Sequence, residues 1–291
     1  MTCAPARSGA VEGNLMSGDH TLEVRDATSE DSSALQALQA RCPIGVNLVV
    51  STVNEPDFFA RSKAYKSCKV YVACMGDRIV GSAACALREA VIGGQPVLVG
   101  YEFQYFTAPE ARRRGVAAHL HQHIEAALRQ SGAALSYAVI MEGNLPSLRL
   151  FEREGFAVVR TLVMPCLIVF KEMPTPEVTG IRPASAEDLG AAAEFLNRTW
   201  RGFDLREPAS AEKLAESIER TPSYTIDDML ILERDGEIMA CAGMWDWSRI
   251  TRMTVEALSF KMRMFGFFLD VARGLGRMAH GLPRARSRSP W

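Results

Sequence analysis

The chain has 291 residues, 48% of them hydrophobic, with 33 basic and 34 acidic side chains and a formal net charge of −1. That length suits two domains of about 150 residues each, and the charge balance argues against nucleic acid as a partner, because phosphate-backbone binding needs a broad basic surface. No apolar run reaches the roughly 18 residues of a membrane span, and the seven cysteines are scattered and never spaced C-x-x-C, which speaks against a zinc site or a disulfide framework and fits reduced thiols.

Residues 1–20 are small and polar without an apolar stretch, and read as a disordered leader rather than a signal peptide, so the expected compartment is the cytoplasm. TLEVRD (Thr21 to Asp26) alternates like a strand. ATSEDSSALQALQARC then reads as an amphipathic helix, with Thr28 or Ser29 as N-cap and acids in its first turn. A loop with Pro43 and Gly45 leads to a second expected helix, Pro56 to Tyr65. KVYVACMGDRIVGSAACALREA reads as a hairpin turning at Gly76–Asp77, and QPVLVGYEFQYFTA as a long strand. The helix RGVAAHLHQHIEAALRQSG ends at Gly132. A strand ALSYAVI, a helix opening at Asn144 (NLPSLRLFEREG) and one or two closing strands in FAVVRTLVMPCLIVFK complete this part.

After the proline-bearing linker over 172–180 the pattern restarts. LEVRDATSEDSSALQALQA and TGIRPASAEDLGAAAEFLN align without gaps, matching Arg25, Ala27, Glu30 and Asp31 to Arg182, Ala184, Glu187 and Asp188. CMGDRIVGSAA likewise resembles ERDGEIMACAG. This is an internal repeat of domain size, and it reads as incomplete, since nothing after GMWDWSRI matches the Arg112–Ala118 or Asn144–Phe156 stretches. The expected organisation is a leader (1–20), a first domain (21–171), the linker (172–180), a partial second copy (181–252), and a helix with a basic tail (253–291). The Met- and Phe-rich helix expected from about Met253 reads as packing on the second copy, with an interfacial membrane helix as the alternative.

Chemistry concentrates at RRRGVAAHL, Arg112 to Leu120, where a strand turns into a helix. A helix start carries unpaired N–H groups and partial positive charge, hence an anion site. Gly115 permits close backbone approach, and successive N–H groups there would form a nest that suits a pyrophosphate. His119 and His123 stand at i, i+4, but no third ligand is evident, so they read as helix-surface residues and no metal is expected.

Arg112-x-x-Gly115-x-Ala117 resembles the Q/R-x-x-G-x-G/A signature of the GNAT N-acetyltransferase superfamily. TAPEAR before it is similar to that family's V-x-P-x-x-R, and NLPSLRLFEREGF (Asn144 to Phe156) to its second motif. The resemblance covers about Thr21 to Lys171. It implies an α/β fold, a mixed, mostly antiparallel sheet flanked by helices, here followed by a partial second copy. It also implies acetyl-CoA as co-substrate. Backbone groups of Tyr105, Phe106 and Thr107 would hold the pantetheine arm. The turn Arg112, Arg113, Arg114, Gly115, Val116 and Ala117 would hold the pyrophosphate, and Asn144 and Phe151 would lie beside the thioester. The family's frequent general acid is a tyrosine where this chain has Phe151. Glu102 lies where members often place a base, and a one-residue shift of register would present Tyr101 instead. Asp57, Phe58 and Phe59 lie in the segment that flanks the acceptor in this fold.

The implied function is direct transfer of an acetyl group to a primary amine of a small molecule or peptide. The alternative is an acyl-CoA-binding regulatory module with little turnover. A second copy of the chain is a candidate partner; a membrane span is not expected.

Overall fold

The computed structural model describes residues 21–165 and 180–274. The leader, positions 172–179 of the linker, the tail from 275 and Cys166 lie outside them. Strand β1 (Leu22–Asp26) leads through a 3-10 turn (Ser29–Asp31) into α1 (Ser32–Ala40), with Thr28 as cap. Asp31 ties this corner together. It accepts the Thr28 N–H at 2.8 Å and takes both amino groups of Arg25 at 2.7 and 2.8 Å.

The hairpin β3 (Ser67–Met75) and β4 (Arg78–Ile92) pairs antiparallel down to Met75↔Arg78. With β5 (Gln95–Thr107) and β6 (Leu135–Ala138) it forms a five-stranded sheet ordered β1-β3-β4-β5-β6. All its pairs are antiparallel except β5–β6, which is parallel. Side chains alternate between two faces, as strand geometry requires. Tyr71, Ala73, Ala83 and Cys85 face α2 (Val116–Gln130), whose Leu120 and Ile124 are fully buried. Burying each of those two side chains stabilises the fold by about 1.5–3 kcal/mol. Gly100 lets α2 lie close, since a Cβ there would come within 2.6 Å of Leu128. On the other face Val70, Val72, Ala84 and Phe103 pack against Leu35 and Phe58.

The helix expected at Pro56–Tyr65 is a 3-10 segment, Phe58–Ala64, capped by Asp57. Before it stands β2 (Leu48–Asn54), a strand that the sequence reading missed although Val49, Val50, Thr52 and Val53 are good strand formers. Its buried Asn54 is held by the Gln39 side chain at 2.9 and 3.2 Å and by the Phe58 carbonyl at 2.7 Å. The strand's partner is β10 (Thr251–Leu258), antiparallel and about 200 residues away in sequence.

Following α3 (Leu145–Arg153), the expected closing strands do not form within 156–165, and the remainder of that stretch lies outside the described residues. Without a ladder partner the apolar run stays in water, with Val159 86% and Val163 85% exposed. The C-terminal part begins with β7 (Ile181–Pro183), a 3-10 turn and α4 (Leu189–Thr199), then α5 (Ala211–Arg220), β8 (Met229–Arg234) and β9 (Glu237–Gly243). Its sheet is ordered β7-β8-β9. The helix expected from Met253 begins later, as α6 (Phe260–Gly274); residues 251–258 are β10, so the expected boundary at 252/253 falls inside a strand. A β-branched and alternating segment, T-R-M-T-V-E-A-L, prefers the ladder that β2 offers.

Candidate active site

Strand β5 carries the site's geometry. Ala84 pairs with Phe103 and Ser82 with Phe106, so β5 has one residue more than β4 across this step. Gln104, in a left-handed conformation with φ 54°, marks the bulge. On its other side β5 pairs with β6 only from Val99 to Glu102. From Phe103 to Thr107 that edge has no neighbouring strand among the described residues, because β6 ends at Ala138, opposite Glu102. Tyr105, Phe106 and Thr107 lie on this open stretch. The Thr107 carbonyl accepts the Cys42 thiol at 3.3 Å. Burial raises that thiol's pKa, and the Arg112 charge opposes the rise.

The strand then passes through a 3-10 turn, Pro109–Ala111, into Arg112 and the head of α2. Arg113 has φ 63° and Gly115 φ 79°, so the chain turns twice through the left-handed region within three residues. The first intrahelical bond runs from the His119 N–H to the Gly115 carbonyl at 3.0 Å. The N–H groups of Val116, Ala117 and Ala118 are therefore the free ones of the first turn. Arg112, Arg113, Arg114 and Gly115 are all exposed. Free N–H groups, two left-handed residues and a helix start together make an anion-accepting nest.

Behind the open edge, on the α2 face, lies a closed polar cluster that sequence reasoning met only in part. Glu102, 1% exposed, accepts the Tyr105 hydroxyl at 2.5 Å and contacts His121 Nδ1 at 3.0 Å through the same oxygen. Its other carboxylate oxygen is buried without a partner among the described residues. Burial pushes the Tyr105 pKa well above the ordinary phenol range, and the Glu102 charge adds to the rise. For His121, burial pulls the pKa down, but its contact with Glu102 outweighs this and the net direction is up. Phe151 closes the cluster, its ring 5.4 Å from Tyr105 and 5.7 Å from His121. The missed member, His121, was visible as the middle histidine of HLHQH. It sits two residues from each neighbour, and on a helix that spacing turns it toward another face.

Tyr101 faces the opposite way. It stacks on Tyr137 of β6 at 5.0 Å and on Phe103 at 5.1 Å, making an aromatic row beside the last pairs of β5 and β6. Tyr65, just after the Phe58–Ala64 segment, packs on the same row. Arg61 lies over both Phe103 and Trp247, at 5.1 and 5.2 Å, so a side chain from the C-terminal part reaches this face. Asn144 caps α3 by accepting the Ser147 N–H. His119 Nδ1 contacts the Gly115 carbonyl and His123 packs on Tyr71, so the two point to different neighbours.

The described site is thus an α/β domain whose mixed sheet leaves one strand edge open from Phe103 and carries that strand through two left-handed residues into α2. Residues 34–156 match the model of the acetyltransferase (GNAT) family, and the chain contains a GNAT acetyltransferase domain there. Similar solved structures include an acetyltransferase from Trypanosoma brucei (21% identity, 50% of this chain and 100% of that one, TM-score 0.40). An aminoglycoside 6'-N-acetyltransferase from Acinetobacter baumannii is 16% identical over 51% of this chain and 99% of its own, TM-score 0.40. An aminoglycoside N-acetyltransferase in complex with CoA is 16% identical over 53% and 99%, TM-score 0.41. No curated protein sequence matches the chain. Among the described residues no helix is long and apolar enough to cross a membrane.

Proposed function

We propose that the chain is an N-acetyltransferase that passes the acetyl group of acetyl-CoA directly to a primary amine of a small molecule or peptide. The observation that carries this reading is the pair of left-handed residues, Arg113 and Gly115, at the head of α2, directly after a strand edge left open from Phe103 onward. The residues fit the co-substrate. Gly115 holds φ at 79°, a conformation that side chains rarely adopt, so the turn suits glycine, while an added Cβ would make only an ordinary contact with the His119 ring at 3.4 Å.

When bound, acetyl-CoA supplies an acyl carbon activated as a thioester. The N–H groups of Arg113 to Ala117 hold its pyrophosphate, with the guanidinium groups of Arg112 to Arg114 free to reach outlying phosphate oxygens. The open edge at Tyr105, Phe106 and Thr107 takes the pantetheine arm as an added strand. A main-chain N–H just past Glu102 polarises the acyl oxygen. Of the two base candidates, Tyr101 shares the acceptor face with the Phe58–Ala64 segment and stands beside the incoming amine, its proton leaving through water. Glu102, enclosed on the other face, is a positioning residue that holds Tyr105 and His121 behind the strand. Phe151 has no proton to give, so the departing thiolate takes its proton from water.

Phe151 and the enclosure of Glu102 also favour the second reading, an acyl-CoA-binding module with little turnover. Calorimetry with acetyl-CoA, followed by CoA release over a panel of amino acids, polyamines and an aminoglycoside, tests both. Binding with turnover supports the enzyme, and binding without turnover supports the module. No binding overturns both. The proposed compartment is the cytoplasm, and the C-terminal part from Ile181 is proposed to be a partial second copy of the fold that binds no second acetyl-CoA.

A further inference from the structure

A cavity of about 430 Å3 opens beside α4 and α5, away from the head of α2. Its apolar wall is Leu196, Leu214 and two aromatic rings, Trp200 and Phe203, which meet edge to face at 5.5 Å. Both rings are about half exposed, at 49% and 50%, which is a large aromatic surface to leave in water. The cavity falls in the size range of small-molecule sites.

Its charged side chains divide into two groups. Glu207 is held by Arg88 at 2.8 Å, Lys213 by Glu89 at 2.6 Å, and Asp204 accepts the Gly93 N–H at 2.8 Å. These three are committed to β4 and the turn that follows it. Arg206 and Arg160 also line the cavity, and neither has a carboxylate partner among the described residues. The Arg206 Nε–H is buried with no acceptor, and Nη1 reaches the Asn197 side-chain oxygen only at 3.5 Å. The Arg206 carbonyl accepts the Val91 N–H at 2.9 Å, and the Leu205 N–H returns a bond to Val91, so the arginine cannot simply swing away with its loop. Leu205 itself holds φ at 65°, a conformation unfavourable for leucine. A guanidinium with a buried, unpaired N–H and no counter-charge is unfavourable unless something else supplies the acceptor.

We propose that this cavity binds a small molecule with an aromatic body and a carboxylate. The ring lies against Trp200 and Phe203, and the carboxylate takes the Nη2 amino group of Arg206 with Arg160 closing over it. A polycation finds no free carboxylate pair there.

The test uses the full chain and three probes of one body: phenylacetate, benzyl phosphate and phenethylamine. In calorimetry, phenylacetate should bind one per chain and phenethylamine should not. Arg206→Ala and Trp200→Ala should each weaken phenylacetate at least tenfold, with the melting temperature and acetyl-CoA affinity unchanged. Arg160→Ala, at an exposed position, should weaken it several-fold. Equal binding of phenethylamine would overturn the proposal, as would phenylacetate binding that survives both arginine changes. Tighter binding of benzyl phosphate would overturn the carboxylate assignment. Absence of any binding at millimolar concentration would also refute the site, whatever the chain does with acetyl-CoA.

Discussion

Arg25 and Arg182 do the same thing in two places. Each leaves a short strand, grips an aspartate six residues on at 2.7–2.8 Å, and that aspartate caps the next turn through Thr28 or Ser185. Beyond this shared corner the two parts diverge at their long strands. In the N-terminal part β5 lies beside β4, bulges at Gln104 and turns through Arg113 and Gly115 into α2. In the C-terminal part β9 has no neighbour on its far side among the described residues, and β10 crosses to pair with β2. It enters α6 through Ser259, whose N–H bonds the Asn47 carbonyl, and no residue of 244–274 has a positive φ. A clamp of residues six apart forms wherever its sequence occurs. A strand goes to whichever edge is open, and with it goes the chance of building a nest.

The largest expected effect breaks that crossing. Val50 exchanges both backbone bonds with Ile44, so by alternation Ser51 and Val53 are the residues that turn to β10. Thr254 opposite Ser51 therefore donates into the ladder, and Thr254→Pro should destabilise the chain by about 2 kcal/mol. Hydrogen exchange should show β2 losing protection while β8 keeps its own. Equal loss in both would mean the two parts fold as one unit.

Gly115→Val sharpens the contrast between the two helix starts. Forcing a β-branched residue to φ near 79° should weaken acetyl-CoA binding more than tenfold, about 1.4 kcal/mol, by calorimetry. Equilibrium dialysis of the parent chain should give one acetyl-CoA per chain. A second site that persists in the Gly115 variant would show that the C-terminal part holds a nest of its own.

The two clamps can be compared directly. Hydrogen bonds from Arg25 lower the Asp31 pKa to about 2 from 3.8. A carboxylate so depressed adds stability above about pH 3.8 that is lost as pH falls through about 2. Arg25 is 43% exposed, so screening limits Arg25→Ala to about 1 kcal/mol. Asp188 is lowered in the same direction by Arg182, and Arg182→Ala should shift the melting temperature the same way, with both effects vanishing in acid. An effect of Arg25→Ala undiminished at pH 2 would show that the clamp works through packing instead.

The smallest effect concerns a feature with no counterpart among the described residues of the C-terminal part. His121 has its pKa raised above 6.5 by Glu102, so its stabilising contribution is complete below about pH 6.5 and fades as pH rises through the folded value. Glu102→Gln should flatten the dependence of melting temperature on pH in that window. An unchanged slope would mean the histidine stays neutral beside Glu102.

Much of this was legible in residue order alone. The Thr28 and Ser185 caps, the hairpin at Gly76, the turn at Gly115 and the cap at Asn144 each depend on residues within a few positions, where turn chemistry and periodicity decide the outcome. The likeness of the Arg25–Asp31 and Arg182–Asp188 stretches was visible for the same reason. What only the tertiary structure decided were pairings across long separations. Nothing in VVSTV names TRMTV as its partner, because a strand's affinity for an edge is set by which edges remain open. The enclosure of Glu102 by Tyr105 and His121 required α2 to be laid on the sheet at Gly100, bringing together residues 19 apart. The cavity at Arg206 arose likewise, because β4 holds Glu207 and Lys213 and the turn after it holds Asp204, which leaves the two arginines without an ion-pair partner among the described residues.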